Sequence, residues 1–302
     1  MSGSFGFLNL KKPPGLTSHD CVARLRRLLH LKRIGHGGTL DPMAEGVLPM
    51  AVGSATRLLS FLPTPKVYRA VIRLGLRTTT DDITGETLAT APTTDLTPEQ
   101  VNEALQQFQG HIQQTPPAYS AIQVNGQRLY TLARQGKPVE VAPRWVDIEK
   151  LDLLAWNSSS AGWTDLAVEI HCGSGTYIRA IARDLGAALQ TGGTLAQLRR
   201  TQSCGFQLAH SLSFDEIATQ IEANTLVLIS PPQALTHLPT ITLPDALAQR
   251  WCWGQTLLLP ELDLPAPPPN SDIVQVQNGQ GQFLGISHHQ NSSLIPKIVI
   301  AG

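Results

Sequence analysis

The sequence predicts an α+β protein with a mixed, largely antiparallel central sheet, flanking helices and a small, mostly β C-terminal domain. Three observations support this prediction. Segments with the two-residue period of strands and segments with the period of helices both occur along the chain. A length of 302 residues favours two domains. The pattern of residues along the chain changes after about residue 205. We place a main domain at residues 1–237 and a C-terminal domain at residues 238–302.

The first two elements lie on either side of a Pro-Pro-Gly turn. The segment FGFLNLKK predicts a short strand, and after the turn Thr17 or Ser18 can cap a helix. Helical spacing is shown by four apolar residues, Val22, Leu25, Leu28 and Leu29. The same spacing turns three basic residues outward, namely Arg24, Arg26 and Arg27.

The run GHGGTLDP at residues 35–42 is predicted as a loop, because glycine weakens and proline interrupts a regular backbone. The apolar run VLPMAVG follows, and SATRLLSFL then predicts a capped helix. Alternation in KVYRAVIRLGLRT predicts a strand with Tyr68 and Arg69 on opposite faces.

The remaining elements are predicted from caps, alternation and turns. Thr97 caps a helix in TPEQVNEALQQFQG, with Pro98 at its first position. Two strands, RWVDIEKLDLLAW and TDLAVEIHC, precede a helix in YIRAIARDLGAAL. A proline-rich loop near residue 265 then leads into DIVQVQNGQGQFLGI, which predicts a β-hairpin with an Asn-Gly turn.

Composition narrows the class of protein. The formal net charge is zero, but residues 1–80 hold twelve Lys and Arg against three Asp and Glu, a pattern that suits a polyanionic partner. The four cysteines form no CxxC pair and the nine histidines show no metal-ligand spacing, so we expect reduced thiols, no metal and a cytoplasmic location. No apolar run is long enough to span a bilayer, and we expect no secretory leader.

Three side chains are candidates for chemistry, each with an ordinary structural alternative. Asp41 follows glycines that permit close approach to a ligand and precedes Pro42, which extends it; the alternative is a simple Asp-Pro turn. Tyr68 lies among basic residues and can stack on a base, or it is a half-buried strand tyrosine. Arg179 can grip both oxygens of a carboxylate, or it forms a surface salt bridge.

Four segments in order resemble one family. GHGGTLDPMAEGVLP, KVYRAVIRLGLRTTTDD, PPAYSA and GTYIRAIARDLG are similar to the signature segments of the TruB family, the bacterial tRNA pseudouridine-55 synthases. The resemblance runs from about residue 5 to 205. At the C-terminus, NGQGQFLGI and LIPKIVI resemble a PUA-type RNA-binding domain more weakly.

The resemblance implies an isomerase that works in tRNA processing. It would convert one uridine in the T-arm loop of tRNA to pseudouridine without a cofactor or an obligatory protein partner, and as a monomer. It makes Asp41 the catalytic carboxylate, Arg179 its partner and Tyr68 the residue that stacks on the target base. It also assigns substrate contacts: His36 as a wedge in the RNA loop, Tyr177 and Leu198 in the base pocket, and Arg24, Arg26, Arg27, Lys32 and Arg33 on the RNA backbone.

The residues fit the chemistry that the resemblance implies. Breaking a glycosidic bond builds positive charge at the ribose C1′, and an ionised carboxylate stabilises that charge or forms a covalent adduct. The sequence leaves open whether Asp41 attacks C1′ or removes a ribose proton.

Three departures from the family pattern affect RNA contacts. Gln123 and Ser174 stand where we expect lysines, and residues 201–302 hold two basic residues against seven acidic ones. The C-terminal domain is therefore expected mainly to brace the catalytic domain. Three other functions stay open: a nucleosidase that lets water capture C1′, an RNA-folding chaperone, and a synthase that receives its target through a guide RNA.

Overall fold

The computed structural model describes residues 5–120, 123–124, 127–128, 141–258, 272–290 and 292–300. The proline-rich loop near residue 265 lies outside these residues. So does the side chain of Gln123, of which only the backbone is described.

The described residues contain eighteen strands. In chain order they are β1 (Gly6–Lys12), β2 (Ile34–His36), β3 (Glu45–Val52), β4 (Lys66–Leu74), β5 (Leu76–Thr78), β6 (Thr87–Thr90), β7 (Gly110–Gln114), β8 (Gln123–Val124), β9 (Gln127–Arg128), β10 (Arg144–Ser158), β11 (Thr164–Cys172), β12 (Gly193–Ser203), β13 (Phe206–Gln207), β14 (Thr240–Leu243), β15 (Leu257–Leu258), β16 (Ile273–Asn278), β17 (Phe283–Gln290) and β18 (Ser293–Val299).

Six α-helices accompany the strands in the described part of the chain. They are α1 (Ser18–Leu29), α2 (Pro98–Gln106), α3 (Ile178–Ala188), α4 (Phe214–Glu222), α5 (Pro231–Ala234) and α6 (Asp245–Cys252). Two 3-10 helices span Gly53–Phe61 and Leu208–His210. None of the described helices is long and apolar enough to cross a membrane.

The predicted α+β class is confirmed by the central nine-stranded sheet. Its order is β1-β3-β12-β4-β11-β10-β7, with β2 beside β3 and β13 beside β12. Every pair is antiparallel except β3 with β12, which is parallel. Helices α2 and α3 pack on one face of β4, β10 and β11 and close an apolar core there.

Two predicted caps are confirmed, and each fixes where a helix begins. The Asp20 amide donates to the Thr17 hydroxyl oxygen and the Thr17 amide donates to the Asp20 carboxylate, so α1 begins at Ser18. Thr97 and Gln100 form the same reciprocal pair at the start of α2. The outward placement of the arginines on α1 is also confirmed, since Leu25 is buried while its neighbours Arg24 and Arg26 are exposed.

The prediction of a capped helix in SATRLLSFL is wrong in two respects. The segment is a 3-10 helix, Gly53–Phe61, and the residue before it is Val52, which has no side-chain acceptor to cap it. The Thr56 hydroxyl instead donates to the carbonyl of Gly53 inside the first turn.

The C-terminal hairpin is confirmed and forms part of a second, five-stranded sheet in the order β14-β16-β17-β18-β15. Asn278 begins the turn, and its side-chain oxygen accepts the amides of Gln280 and Gln282. The connection therefore spans residues 279–282.

Strands β1 and β3 bury both of their faces. Leu8, Leu10 and Met50 pack toward α1 and α4, whereas Phe7 and Val47 pack against Phe283, Ile286 and other residues of the second sheet. Because the two sheets share this apolar core, the second sheet braces the strands that carry the glycine-rich loop. The boundary between residues 237 and 238 stays a prediction.

We predict that Ile286→Ala destabilises the whole molecule. Ile286 is completely buried in the shared core, so its truncation leaves a cavity and costs about 2–4 kcal/mol of unfolding free energy. Ile295→Ala, in the same sheet but 38% exposed, is the matched control and costs well under about 1 kcal/mol. Urea denaturation followed by tryptophan fluorescence measures both. A separate early transition confined to the C-terminal sheet would contradict the shared core.

Candidate active site

The prediction that the loop begins at residue 35 is wrong, because Gly35 and His36 pair with β3 as part of β2. The irregular loop between β2 and β3 begins at Gly37, and buried side chains hold its backbone. The Ser18 hydroxyl bonds both the amide and the carbonyl of Leu40. The ammonium of Lys12, which is fully buried, donates to the carbonyls of Pro42 and Ala44. A loop without regular structure cannot satisfy its own polar groups, so these donors stabilise one conformation of it.

A second buried cation holds the loop from the side of β12. The Arg200 guanidinium donates to the carbonyls of Gly38 and Thr39 and to the carbonyl of Val47 on β3. Gly46 lets the backbones of β3 and β12 approach closely, since a Cβ there would lie 2.2 Å from the Arg200 carbonyl oxygen, and its φ is +113°. Lys12 and Arg200 thus hold the loop on the two sides of Asp41.

Asp41 and Arg179 form a two-point pair. Arg179 Nε and Nη2 donate to the two carboxylate oxygens of Asp41 at 2.9 and 3.0 Å. The remaining donors of the guanidinium bond the carbonyls of Thr80 and Tyr119. The Asp41 side chain is 28% exposed and that of Arg179 is 6% exposed, so the pair joins a solvent-accessible carboxylate to a fixed, buried cation.

Asp82 is a buried carboxylate that the sequence analysis did not single out. Its Oδ2 lies 3.8 Å from Arg179 Nη1, the nitrogen that Asp41 does not use. Its Oδ1 accepts from the side chains of Thr80 and Thr84 and from the Thr84 amide. The signal was present as the run TTTDD, in which threonine hydroxyls flank two aspartates.

The carboxylate of the neighbouring Asp81 pairs with α3 one turn beyond Arg179. Arg183, four residues after Arg179 on α3, contacts the Asp81 carboxylate at 3.2 Å and also donates to the carbonyl of Thr115. Burial raises the pKa of Asp81, although Arg183 opposes this shift. Two arginines on one helix face therefore meet two consecutive carboxylates and fix the rotation of α3.

Tyr68 and Leu198 form the apolar floor beside the pair. Both are buried, and they belong to one cluster with Leu40 and Ala44 from the loop. Burial raises the pKa of the Tyr68 phenol. Tyr68 is thus more buried than the half-buried strand residue that the alternation alone suggested.

Tyr177 precedes α3 and is held by its backbone. The Gln114 side chain accepts the Tyr177 amide and donates to its carbonyl, which ties β7 to the start of α3. Burial raises the pKa of the Tyr177 phenol. Ser174, three residues earlier, is exposed in the turn after β11.

His36 ends β2, on the loop that carries Asp41. Burial lowers its pKa below the ordinary 6.5, with Arg200 contributing in the same direction, so the ring is neutral at pH 7. Its buried Nδ1 has no hydrogen-bond partner among the described residues. A neutral ring is compatible with insertion between bases.

The basic residues predicted to face RNA divide into two groups. Arg24 pairs with Asp215 at 3.7 Å, Arg26 donates to the carbonyl of Ile34 and Arg33 donates to the Thr56 hydroxyl. Arg27 and Lys32 are exposed and make no ion pair with any described residue. The first group therefore also supports the fold, while the second is free to bind a partner.

The described residues contain no group of three or more side chains that could hold a metal ion. Arginine donors and one exposed carboxylate dominate the site, which suits a polyanionic substrate and a reaction at a carbon that develops positive charge.

Comparison with known proteins identifies both parts of the chain. The model of the TruB family pseudouridylate synthase N-terminal domain matches residues 26–178, and that of the pseudouridine synthase II TruB C-terminal domain matches residues 239–300. The tRNA pseudouridine synthase B of Acaryochloris marina is 52% identical over 98% of both chains. That of Synechococcus elongatus is 52% identical over 99% of both.

Solved structures share the fold at lower identity. A chain of an H/ACA RNP bound to a substrate RNA containing 2′-deoxyuridine aligns with a TM-score of 0.74 at 23% identity, covering 99% of this chain and 86% of that one. A chain of a Cbf5-Nop10-Gar1 complex aligns with a TM-score of 0.73 at 25% identity, covering 98% and 84%.

We predict that Lys12 makes stability rise with pH above neutrality. Burial lowers its pKa to about 8, so between pH 8 and its ordinary 10.5 the unfolded chain binds a proton that the native protein has released. The unfolding free energy of the wild type should therefore rise over this range relative to that of Lys12→Met. Urea titrations at several pH values measure the difference, and a constant difference from pH 7 to 10.5 would contradict the assignment.

Proposed function

The chain belongs to the TruB family of pseudouridylate synthases and isomerises uridine in tRNA to pseudouridine, and from this premise we propose its target and the roles of its residues. The target is position 55 in the T-arm loop, and Asp41 is the catalytic carboxylate. The observation that carries the proposal is the two-point pair between Asp41 and Arg179 beside Tyr68.

The reaction breaks the N1–C1′ bond of the nucleotide and forms a C5–C1′ bond, so it needs no net oxidation or reduction and we propose no cofactor. Asp41 acts at the C1′/C2′ region of the ribose, where cleavage builds positive charge. Arg179 positions the carboxylate, and Asp82 holds the other side of the guanidinium. Arg179 and Asp82 thus hold the two carboxylate oxygens of Asp41 in a single orientation.

The target base would bind on the apolar floor. Tyr68 stacks on it, while Leu198 and Tyr177 line the pocket. His36 enters the RNA loop and takes the place of the extruded uridine, which costs less in a loop than in a duplex. The buried surroundings keep water from the detached uracil until it bonds again through C5.

The RNA would be held through its phosphates by the face of α1 and the residues that follow it. The contacts we propose are Arg24, Arg26, Arg27, Lys32 and Arg33. An A-form stem hides its base edges, so recognition of a folded hairpin depends on backbone and shape. The enzyme acts as a monomer in the cytoplasm, where its tRNA substrate is found.

The second sheet would serve mainly as a brace. It shares an apolar core with β1 and β3, and Arg57 donates to the carbonyl of Val299 at 2.7 Å. With two basic residues against seven acidic ones, residues 201–302 offer little attraction for RNA.

Two rival functions fit the site less well. A nucleosidase needs a second carboxylate as general acid, but the candidate nearest Asp41, Asp82, is buried and already bonded by Thr80 and Thr84. An RNA chaperone would have no use for the Asp41–Arg179 pair. A synthase that receives its target through a guide RNA would use the same chemistry. The experiment below distinguishes it from a synthase that acts alone.

We predict that the purified protein alone converts uridine 55 of a T-arm stem-loop transcript, and that Asp41→Asn abolishes conversion. The amide lacks the charge needed at C1′, whereas binding depends on phosphates and should stay within about threefold. Asp95→Asn, at an exposed aspartate far along the chain, is the control and keeps full activity.

Chemical mapping of pseudouridine and filter binding measure the two quantities. No product from the wild type without added RNA or protein would assign the chain to the guided class. Free uracil as the product would support the nucleosidase. Full conversion by Asp41→Asn would refute the catalytic assignment.

We predict that the double variant Arg27→Glu and Lys32→Glu weakens tRNA binding and reduces its dependence on salt. These exposed side chains form no ion pair with any residue that the structure describes. Their reversal therefore removes about two phosphate contacts and reduces the magnitude of the slope of log K against log[salt] by roughly 1–2. Arg250→Glu, a single charge reversal at an exposed arginine on α6, is the control and should leave the slope unchanged. An unchanged slope in the double variant would remove this face from the RNA interface.

A further inference from the structure

Arg200 is a fully buried arginine at a junction of three strands. On β12 it lies directly opposite Tyr68 of β4 and directly opposite Gly46 of β3. The β-bulge that follows it, between Arg200 and Gln202, breaks the regular alternation of β12. Immediately before this bulge the alternation is regular, so the Arg200 side chain points into the interior while that of Arg199 is largely exposed.

The buried guanidinium makes no ion pair with a carboxylate of any described residue. Three of its nitrogens donate to the carbonyls of Val47, Thr39 and Gly38 at 2.8, 3.2 and 3.0 Å. A buried charge without a counter-ion is costly unless its donors are satisfied. An apolar side chain would pack in this strand at a lower cost in free energy. The buried cation therefore points to a further role.

The same residue is the cross-strand neighbour of Tyr68, and its charge opposes the rise in the pKa of the Tyr68 phenol that burial causes. A guanidinium can only donate, so beside it the tyrosine oxygen is favoured as an acceptor and the phenolic proton is directed away from Arg200. One side chain thus acts on the Tyr68 phenol and also holds the loop two and three residues before Asp41.

We propose that Arg200 is a positioning residue for the isomerisation, which acts by fixing the Tyr68 hydroxyl relative to the Asp41 loop. The inference rests on the proposed function, in which Tyr68 contacts the target base. Arg200 touches neither substrate nor reacting atoms, because its nitrogens are occupied by the protein itself.

The direct test is the titration of Tyr68, which needs no substrate. The ionisable groups that face Tyr68 are Arg200 on β12, Cys172 on β11 and Asp41 in the loop, and Arg200 opposes the raised pKa that burial causes. The chain has four tyrosines, so the Tyr68 component is the difference in phenolate absorbance between each protein and its Tyr68→Phe counterpart. In Arg200→Met and Arg200→Lys this component should move to higher pH.

The kinetic test uses the T-arm stem-loop. We expect both Arg200 variants to lower kcat roughly 10- to 100-fold with KM changed less than about threefold, as for a misplaced active-site hydroxyl. In the Tyr68→Phe background, Arg200→Met should cost clearly less, because the hydroxyl on which it acts is already absent. Arg199→Met, the adjacent exposed arginine, is the matched control and leaves kcat and the titration unchanged.

Thermal unfolding identifies the folded variants, and if Arg200→Met does not fold, Arg200→Lys decides the question. A folded variant with kcat within about twofold of the wild type would overturn the proposal. So would an unmoved Tyr68 titration together with a full loss of kcat in the Tyr68→Phe background, which would make Arg200 a support of the loop alone. If the wild type fails to convert the transcript, the proposed function fails, while the titration still decides whether Arg200 acts on Tyr68.

Discussion

A loop that cannot satisfy its own backbone is the constraint on which this structure depends. Glycines and a proline place Asp41 outside any regular element with its side chain partly exposed, but they leave carbonyls without helix or sheet partners. Lys12 and Arg200 supply the missing donors from inside the protein. The cost of burying two cations is accepted because the loop needs donors at its carbonyls, and a cation supplies several donors from one side chain.

The pair between Asp41 and Arg179 extends the same arrangement to the helix side. Arg179 binds Asp41 with one edge and approaches Asp82 with the other, while Arg183 binds Asp81. Strand geometry sets the floor, since Tyr68 and Leu198 face the interior next to the loop residue Leu40. Loop, helix and strand each contribute one wall, and each wall is fixed by polar contacts that an apolar core alone would not specify.

Patterns among neighbouring residues predicted several helices and strands correctly from the sequence. The caps at Thr17 and Thr97 and the alternation in β4 depend on nearby residues, and they were correct. Strand β12 was not recognised, because its bulges after Leu195 and Arg200 interrupt the two-residue period and an arginine points inward. Asp82 and the donors Lys12 and Arg200 were missed because their importance depends on partners at least 30 residues away in the chain. The roles of the site residues in catalysis and RNA binding remain predictions.

The apolar core between the two sheets has a consequence for synthesis on the ribosome. Phe7 and Val47 are synthesised well before Phe283 and Ile286, the residues that cover them. Until Phe283 and Ile286 are in place, the first sheet exposes an apolar surface, which favours aggregation. Synthesis from the N-terminus therefore exposes the apolar face of the first sheet before the second sheet can cover it, and chaperones should matter most during that interval.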